Sequence, residues 1–174
     1  MDAPSLSWTL RPVGFIRSPY AERIDAPHQP TVQPTEGPGE AFLDLEPWIP
    51  EAALRDLEGF ERIWLIFLFH RSEGWVPAVR PPRGPRVKRG VFATRSPHRP
   101  NPIGLSAVEL AGIQDRTLRL RGVDLLDGTP VLDLKPYVPY ADAFPASAAG
   151  WIDAVDRETG TLSAPGLRRP RKPR

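Results

Sequence analysis

Arg89-Gly-Val-Phe-Ala-Thr-Arg-Ser-Pro-His-Arg-Pro-Asn-Pro-Ile-Gly-Leu-Ser-Ala-Val-Glu109 is the stretch on which the fold turns. Two strand-like runs, Val91–Thr94 and Ile103–Val108, flank a stiff turn rich in donors. Pro97, Pro100 and Pro102 each fix φ and lack an N–H. Each also pushes its predecessor (Ser96, Arg99, Asn101) away from the helical region. The loop is therefore extended, preorganised and unable to join a sheet ladder, yet it carries Arg95, Ser96, His98, Arg99 and Asn101. A rigid crossover with solvated polar groups is one reading; a functional loop held by a scaffold is the other, and the density of chemistry favours the second.

Outward from this loop the apolar period is mostly two. Leu10–Ile16, Ala41–Leu45, Ile63–Phe69, Val91–Thr94, Ile103–Leu110, Thr117–Val123 and Val131–Leu134 read as strands. Gly and Pro clusters punctuate them at Pro34–Gly39, Gly74–Pro85 and Asp127–Pro130. Pro50–Leu57 alone reads as a helix, with Pro50 at its start and Gly59 as its stop. Ala146–Asp156 fits either a short strand or a helical turn. Seven strands and one short helix predict an all-β, mainly antiparallel fold, a closed or nearly closed β-barrel. The expected organisation is a barrel domain over residues 7–145, a C-terminal segment over 146–164 packing on it, and a disordered basic tail over 165–174.

Composition narrows the function. With no cysteine, disulfide scaffolds, thiol nucleophiles and Cys-ligated zinc are excluded. His28, His70 and His98 are scattered without ligand spacing, so no metal is expected. The longest apolar run, Ile63–Phe69, is strand-length, and the start Met1-Asp-Ala-Pro-Ser has no signal-peptide pattern, so a cytoplasmic protein without a membrane span is expected. The 23 prolines argue against a mainly helical fold. A net charge of +2 conceals an asymmetry: residues 76–108 hold seven basic side chains and no acidic one, and the last ten residues hold five more. Without those twelve, the rest of the chain has eleven basic against 21 acidic residues. Concentrated positive charge on an acidic body is the pattern of a polyanion binder.

The quoted loop and three further blocks carry a resemblance. They are Val13-Gly-Phe-Ile-Arg-Ser-Pro-Tyr20, Leu57-Glu-Gly-Phe60 running into Trp64-Leu-Ile-Phe-Leu-Phe-His70, and Val123-Asp-Leu-Leu-Asp-Gly-Thr-Pro-Val-Leu-Asp-Leu-Lys-Pro-Tyr-Val-Pro-Tyr-Ala-Asp142. Together they resemble the TsaA-like family, also known as TrmO or YaeB, over most of residues 10–145. The resemblance implies an S-adenosyl-L-methionine-dependent methyltransferase acting on tRNA, methylating N6 of threonylcarbamoyladenosine next to the anticodon, and a homodimer. No Gly-x-Gly-x-x-Gly or Walker motif occurs, so the resemblance alone brings in that methyl donor.

It implies donor contacts in four places. The first is Pro27, His28 and Gln29, where family members usually show Pro-Arg-Gln-Pro and His28 departs. The second is His70 with Arg71; a histidine ending a buried strand is otherwise often a satisfied capping side chain. The third is the signature loop with Phe92, Arg95, Ser96, Pro97 and Leu105, Arg95 facing the methionine carboxylate by a charge-assisted fork. The fourth is Val123, Asp124, Leu125, Leu126, Asp127, Gly128 and Thr129, where Asp124 or a backbone carbonyl reads the ribose or adenine, and where Asp-Gly is equally a plain turn signal.

Methyl transfer to N6 also needs a proton acceptor, for which His98, Asp133, Lys135 and Tyr137 are the candidates. Asp133 with Lys135 reads equally as a strand-end ion pair. Arg80, Arg83, Arg86, Lys88, Arg99 and Asn101 are the expected tRNA contacts, with Tyr20, Trp75, Phe92, Tyr137 or Tyr140 to stack an unstacked base. The chain ends about thirty residues after Asp142, so a longer family C-terminal domain is not expected. A non-catalytic S-adenosylmethionine- or RNA-binding module, or a methyltransferase for another substrate, are the alternatives.

Overall fold

The computed structural model describes residues 7–22, 40–82 and 84–159, and the chain divides into two compact units. One is formed by the chain up to His70 with Ile103–Pro136, the other by Arg71–Pro102 with the chain from Tyr137 on.

The first unit is the expected closed antiparallel barrel. Its strands are β1 (Gly14–Arg17), β2 (Glu40–Leu45), β3 (Arg62–Leu68), β6 (Ile103–Gln114), β7 (Thr117–Arg121) and β8 (Pro130–Pro136), in the order β1-β2-β7-β6-β3-β8 and back to β1. The short strands β4 (Ala78–Val79) and β5 (Arg89–Gly90) pair only with each other, in the second unit. The two-residue apolar period is what closes the barrel: in β3, Ile63, Leu65 and Phe67 turn inward while Arg62, Trp64 and Ile66 do not. Leu43, Leu118, Leu120, Val108 and Val131 meet them in one core.

Curvature comes from two register shifts. One falls between Leu110 and Gly112 of β6 against β7, the other between Ile66 and Phe67 of β3 against β8. With its bend, the twelve-residue β6 pairs with β3 along its first half and with β7 along its second.

Gly14 is required by space: a Cβ there would lie 2.5 Å from the Asp44 carbonyl oxygen. Outside the barrel, Arg17 forks onto Asp44 at 3.0 and 3.1 Å while Thr117 Oγ1 donates to the same carboxylate at 2.9 Å. The hydrogen bond from Arg17 holds the Asp44 carboxyl below its ordinary value.

Several elements differ from expectation. Val91–Thr94 is not a strand: Val91–Ala93 forms a 3₁₀ turn, because the Thr94 N–H and hydroxyl both donate to Val91 O (3.2 and 2.8 Å). Pro50–Leu57 is not one helix but two 3₁₀ turns, Glu51–Leu54 and Leu57–Gly59, interrupted at Asp56 with φ 67°. β1 starts later than Leu10, and Gly122 (φ 69°) ends β7 before Val123. The ambiguous Ala146–Asp156 segment holds α2 (Trp151–Thr159), after the four-residue α1 (Pro139–Asp142). The expected tail over 165–174 lies outside the described residues.

Candidate active site

Within the barrel unit, residues 123–129 lead from β7 to β8 and are bonded to Ile16 of β1 and to Ser18 and Tyr20 just after it. Val123 and Leu125 turn into the core, 2% and 4% exposed, so of these two only the backbone is presented outward. Asp124 between them is half-buried, and Ser106 on β6, itself 4% exposed, donates to its Oδ1 at 3.0 Å. The rest of the segment is tied down from both sides. Ser18 Oγ donates to Leu125 O (2.8 Å) and Ser18 N to Asp127 Oδ1 (3.0 Å). The buried Thr129 turns its hydroxyl onto Leu126 O at 2.7 Å. Gly128, with φ 72°, makes the turn and donates to Ile16 O.

Leu105 is 53% exposed on the outward face of β6, beside the exposed Ile103. On β8, Lys135 Nζ pairs with Asp133 at 2.8 Å, both side chains about half exposed. His70 follows β3 and is exposed.

Within the second unit the signature loop is folded around its own side chains. Proline removes N–H donors from the loop, and side chains take over bonding to its carbonyls. The Arg99 guanidinium donates to Thr94 O (2.9 Å), Val91 O (3.3 Å) and Ser96 O (3.5 Å), and lies 5.6 Å from the centre of the Phe92 ring. Ser96 N and His98 N donate to Thr94 Oγ1 and Ser96 Oγ, each at 3.3 Å. From α2, the Trp151 indole N–H donates to Ala93 O at 2.8 Å, and Arg89 stands over that indole at 5.1 Å. Ser72 Oγ is 3.1 Å from both Pro97 O and His98 Nδ1. Phe92 is 77% exposed, and Arg95 is exposed beside half-buried Ser96 and Pro97.

The expected site residues thus fall into groups. His98, Arg99, Ser96, Pro97 and Phe92 are brought together in the second unit, which also holds Arg71, Arg95, Asn101 and Tyr137. Leu105, residues 123–129, His70 and the Asp133–Lys135 pair belong to the barrel unit. Arg80, Arg86 and Lys88 are exposed in the second unit. Pro27, His28, Gln29 and Arg83 lie outside the described residues.

Four residues absent from the expected site hold its parts: Ser18, Ser72, Ser106 and Trp151. Ser18 and Ser106 stand inside the blocks that carry the resemblance, whereas Ser72 and Trp151 have no local signal. Among the described residues no group of three or more His, Cys, Asp or Glu is placed to hold a metal ion. Nor is any helix there long and apolar enough to cross a membrane.

Comparison with known proteins bears on the family of the chain. A family model described as tRNA-methyltransferase O N-terminal domain matches residues 15–143. The tRNA (adenine(37)-N6)-methyltransferase of Escherichia coli is 44% identical over 156 residues, covering 86% of this chain and 66% of that protein. A Pseudomonas aeruginosa protein, assigned in its name and by inference to the S-adenosylmethionine-dependent methyltransferases as RcsF, is 46% identical, covering 86% of this chain and 65% of its own length. The crystal structure of TrmO from Pseudomonas aeruginosa superposes with a TM-score of 0.71 at 43% identity, covering 85% of this chain and 64% of that one. The chain thus spans just under two thirds of the length of these relatives. Matched along most of its length in sequence and in barrel architecture, the chain belongs to the tRNA-methyltransferase O N-terminal domain family.

Proposed function

We propose that this chain is an S-adenosyl-L-methionine-dependent tRNA methyltransferase that methylates N6 of the adenosine next to the anticodon, in its threonylcarbamoyl form. The observation that carries the reading is the 123–129 segment. Its backbone is locked by Ser18 and Thr129, and its half-buried Asp124 carboxylate is oriented by Ser106. A fixed carboxylate beside tethered backbone suits a ribose diol and an adenine edge, and the exposed Leu105 offers apolar surface. Arg95, exposed on the stiffened signature loop, suits the carboxylate of an amino acid. Taken unit by unit, the barrel offers groups suited to a nucleoside, and the second unit a cation suited to an amino-acid carboxylate.

When bound, S-adenosylmethionine supplies a methyl group on a sulfonium, and its transfer forms the N6–carbon bond, breaks the carbon–sulfur bond and releases the N6 proton. His98 is assigned that proton: Asp133 and Lys135 neutralise each other at 2.8 Å, whereas His98 is half-buried and anchored on the loop. Arg80, Arg86 and Lys88 supply exposed positive charge for tRNA phosphates. Arg99 is assigned to the loop itself, because its donors face the loop carbonyls.

The protein works in the cytoplasm as a homodimer, for which the exposed Trp8 and Leu10 of the barrel unit offer apolar surface. Calorimetric titration of S-adenosylmethionine, followed by transfer of labelled methyl to tRNA, tests the reading. Wild-type binding lost or weakened at least about tenfold in Asp124→Asn and Arg95→Ala supports it. No binding at millimolar donor by the folded protein would overturn it.

A further inference from the structure

The hydroxyl of Ser72 has two polar neighbours at the same distance, Pro97 O and His98 Nδ1, each 3.1 Å away. It has one proton to give. Pro97 O is a carbonyl and can only accept. If the Ser72 proton pointed at His98, Ser72 Oγ and Pro97 O would face each other at 3.1 Å with no proton between them, two negative ends in contact. If it points at Pro97 O, the Ser72 oxygen is left with lone pairs directed at the imidazole. The contact to His98 is then a hydrogen bond only if Nδ1 carries the proton. One arrangement makes both contacts favourable.

Pro97 O has room for that proton. Its other partner is the Arg99 N–H at 2.9 Å, and a carbonyl oxygen accepts two. The frame is fixed as well. The Pro97 ring sets its own φ, and His98 N donates to Ser96 Oγ, so imidazole and carbonyl are held on the same short stretch of backbone.

We propose that Ser72 is a positioning residue that fixes neutral His98 as the Nδ1–H tautomer, leaving the Nε2 lone pair open to accept the substrate proton. The assignment of the tautomer stands on the Ser72–Pro97–His98 geometry alone; only its use in catalysis rests on the methyl-transfer reading above. Free histidine side chains favour Nε2–H, so the tautomer is one the protein must impose, through the bond made by the other nitrogen. When Nε2 gains a proton, the Nδ1–H···Ser72···Pro97 relay keeps all its bonds. Neither the ring nor the hydroxyl has to turn during the reaction, which is the sense in which the relay is preorganised.

Nitrogen NMR of the full chain, labelled at histidine and free of ligand, reads the tautomer directly. Only His28, His70 and His98 contribute, and His98→Gln identifies the signal by its loss. At about pH 8.5, above the ordinary imidazole range, wild-type His98 is expected to show a protonated Nδ1 and an unprotonated Nε2. Ser72→Ala should move the population to Nε2–H, and Ser72→Thr, which restores a hydroxyl, should bring it back. A wild-type Nε2–H signal, or a tautomer unmoved in Ser72→Ala, would overturn the proposal.

In turnover, Ser72→Ala is expected to lower kcat about tenfold or more with KM for donor and tRNA unchanged. A rise in KM at constant kcat would mean that Ser72 only packs the loop, and would overturn the catalytic part. A wild-type protein that never methylates tRNA would remove the methyl-transfer reading, while the NMR outcome would still decide the tautomer.

Discussion

The ring of Phe67 covers the backbone of Gly104, the residue paired with it across β3 and β6. A Cβ on Gly104 would clash with three carbons of the ring, and Phe67 is 2% exposed and braced edge-on by Phe69 at 5.2 Å. The glycine of the signature sequence is thus required by space. Gly104→Ala is expected to destabilise the barrel by about 1–3 kcal/mol. Thermal unfolding measures it, and Phe67→Leu in the same background should recover part of the loss. Strict additivity of the two changes would show that the ring is not the cause.

Ser106→Ala removes one buried hydroxyl without adding volume. Loss of its bond to Asp124 should cost about 1–3 kcal/mol in chemical denaturation. If the oriented carboxylate reads a ribose, donor affinity should fall together with stability. A variant of unchanged donor affinity would separate Asp124 from binding.

The basic side chains of this stretch should divide in two under salt. Arg86→Ala and Lys88→Ala are each expected to reduce the slope of tRNA affinity against salt by about one, as the loss of a phosphate contact does. Arg99→Ala should leave the slope alone and lower turnover, since its guanidinium is bonded to Thr94 O and Val91 O. A reduced slope in Arg99→Ala would move it to the phosphate group.

Asp44 gives the barrel an acid-sensitive tie. Its folded value lies below the ordinary one, first because Arg17 donates to it. The stabilisation is therefore complete above about pH 4 and is lost as pH falls through the lowered value. Urea unfolding of wild type and Asp44→Asn should differ at neutral pH and converge as pH falls through the lowered value. Curves that stay equally far apart at both ends would contradict this.

Trp151→Phe keeps a ring beside Arg89 and deletes the N–H that holds Ala93 O. Hydrogen exchange at Thr94, whose N–H closes the 3₁₀ turn, should speed up by about tenfold, the loss of one net hydrogen bond. Unchanged exchange would place the loop's stiffness entirely in Arg99 and the prolines.

Much of the barrel is readable in the sequence, because Ile63, Leu65 and Phe67, or Leu118 and Leu120, betray their inward face by alternation alone. Strand order is not so readable: pairing β2 with β7 and β3 with β8 depends on partners far apart in the chain. The same distance hid half of the candidate site. His98 and Arg99 draw notice inside a conspicuous loop, but Ser72 stands 26 residues from His98 and Trp151 stands 58 from Ala93. Nothing local distinguishes either from a solvated serine or a packed indole. Arg99 was legible as a cation but not as a staple, since charge clustering says nothing about whether a guanidinium meets phosphates or carbonyls of its own loop.

The barrel is closed where β1 meets the 125–131 segment, by Ile16, Ser18 and Tyr20 bonding to Thr129, Leu125 and Asp127. These partners are more than a hundred residues apart in sequence, so the chain meets this loop-closure cost only once most of it has been threaded. Of the barrel's joints the seam has the longest loop to close, and it is also the strip proposed to read the nucleoside. A ligand seated there would act as a clasp, and its residence time and the breathing rate of β1 would be two readings of one opening.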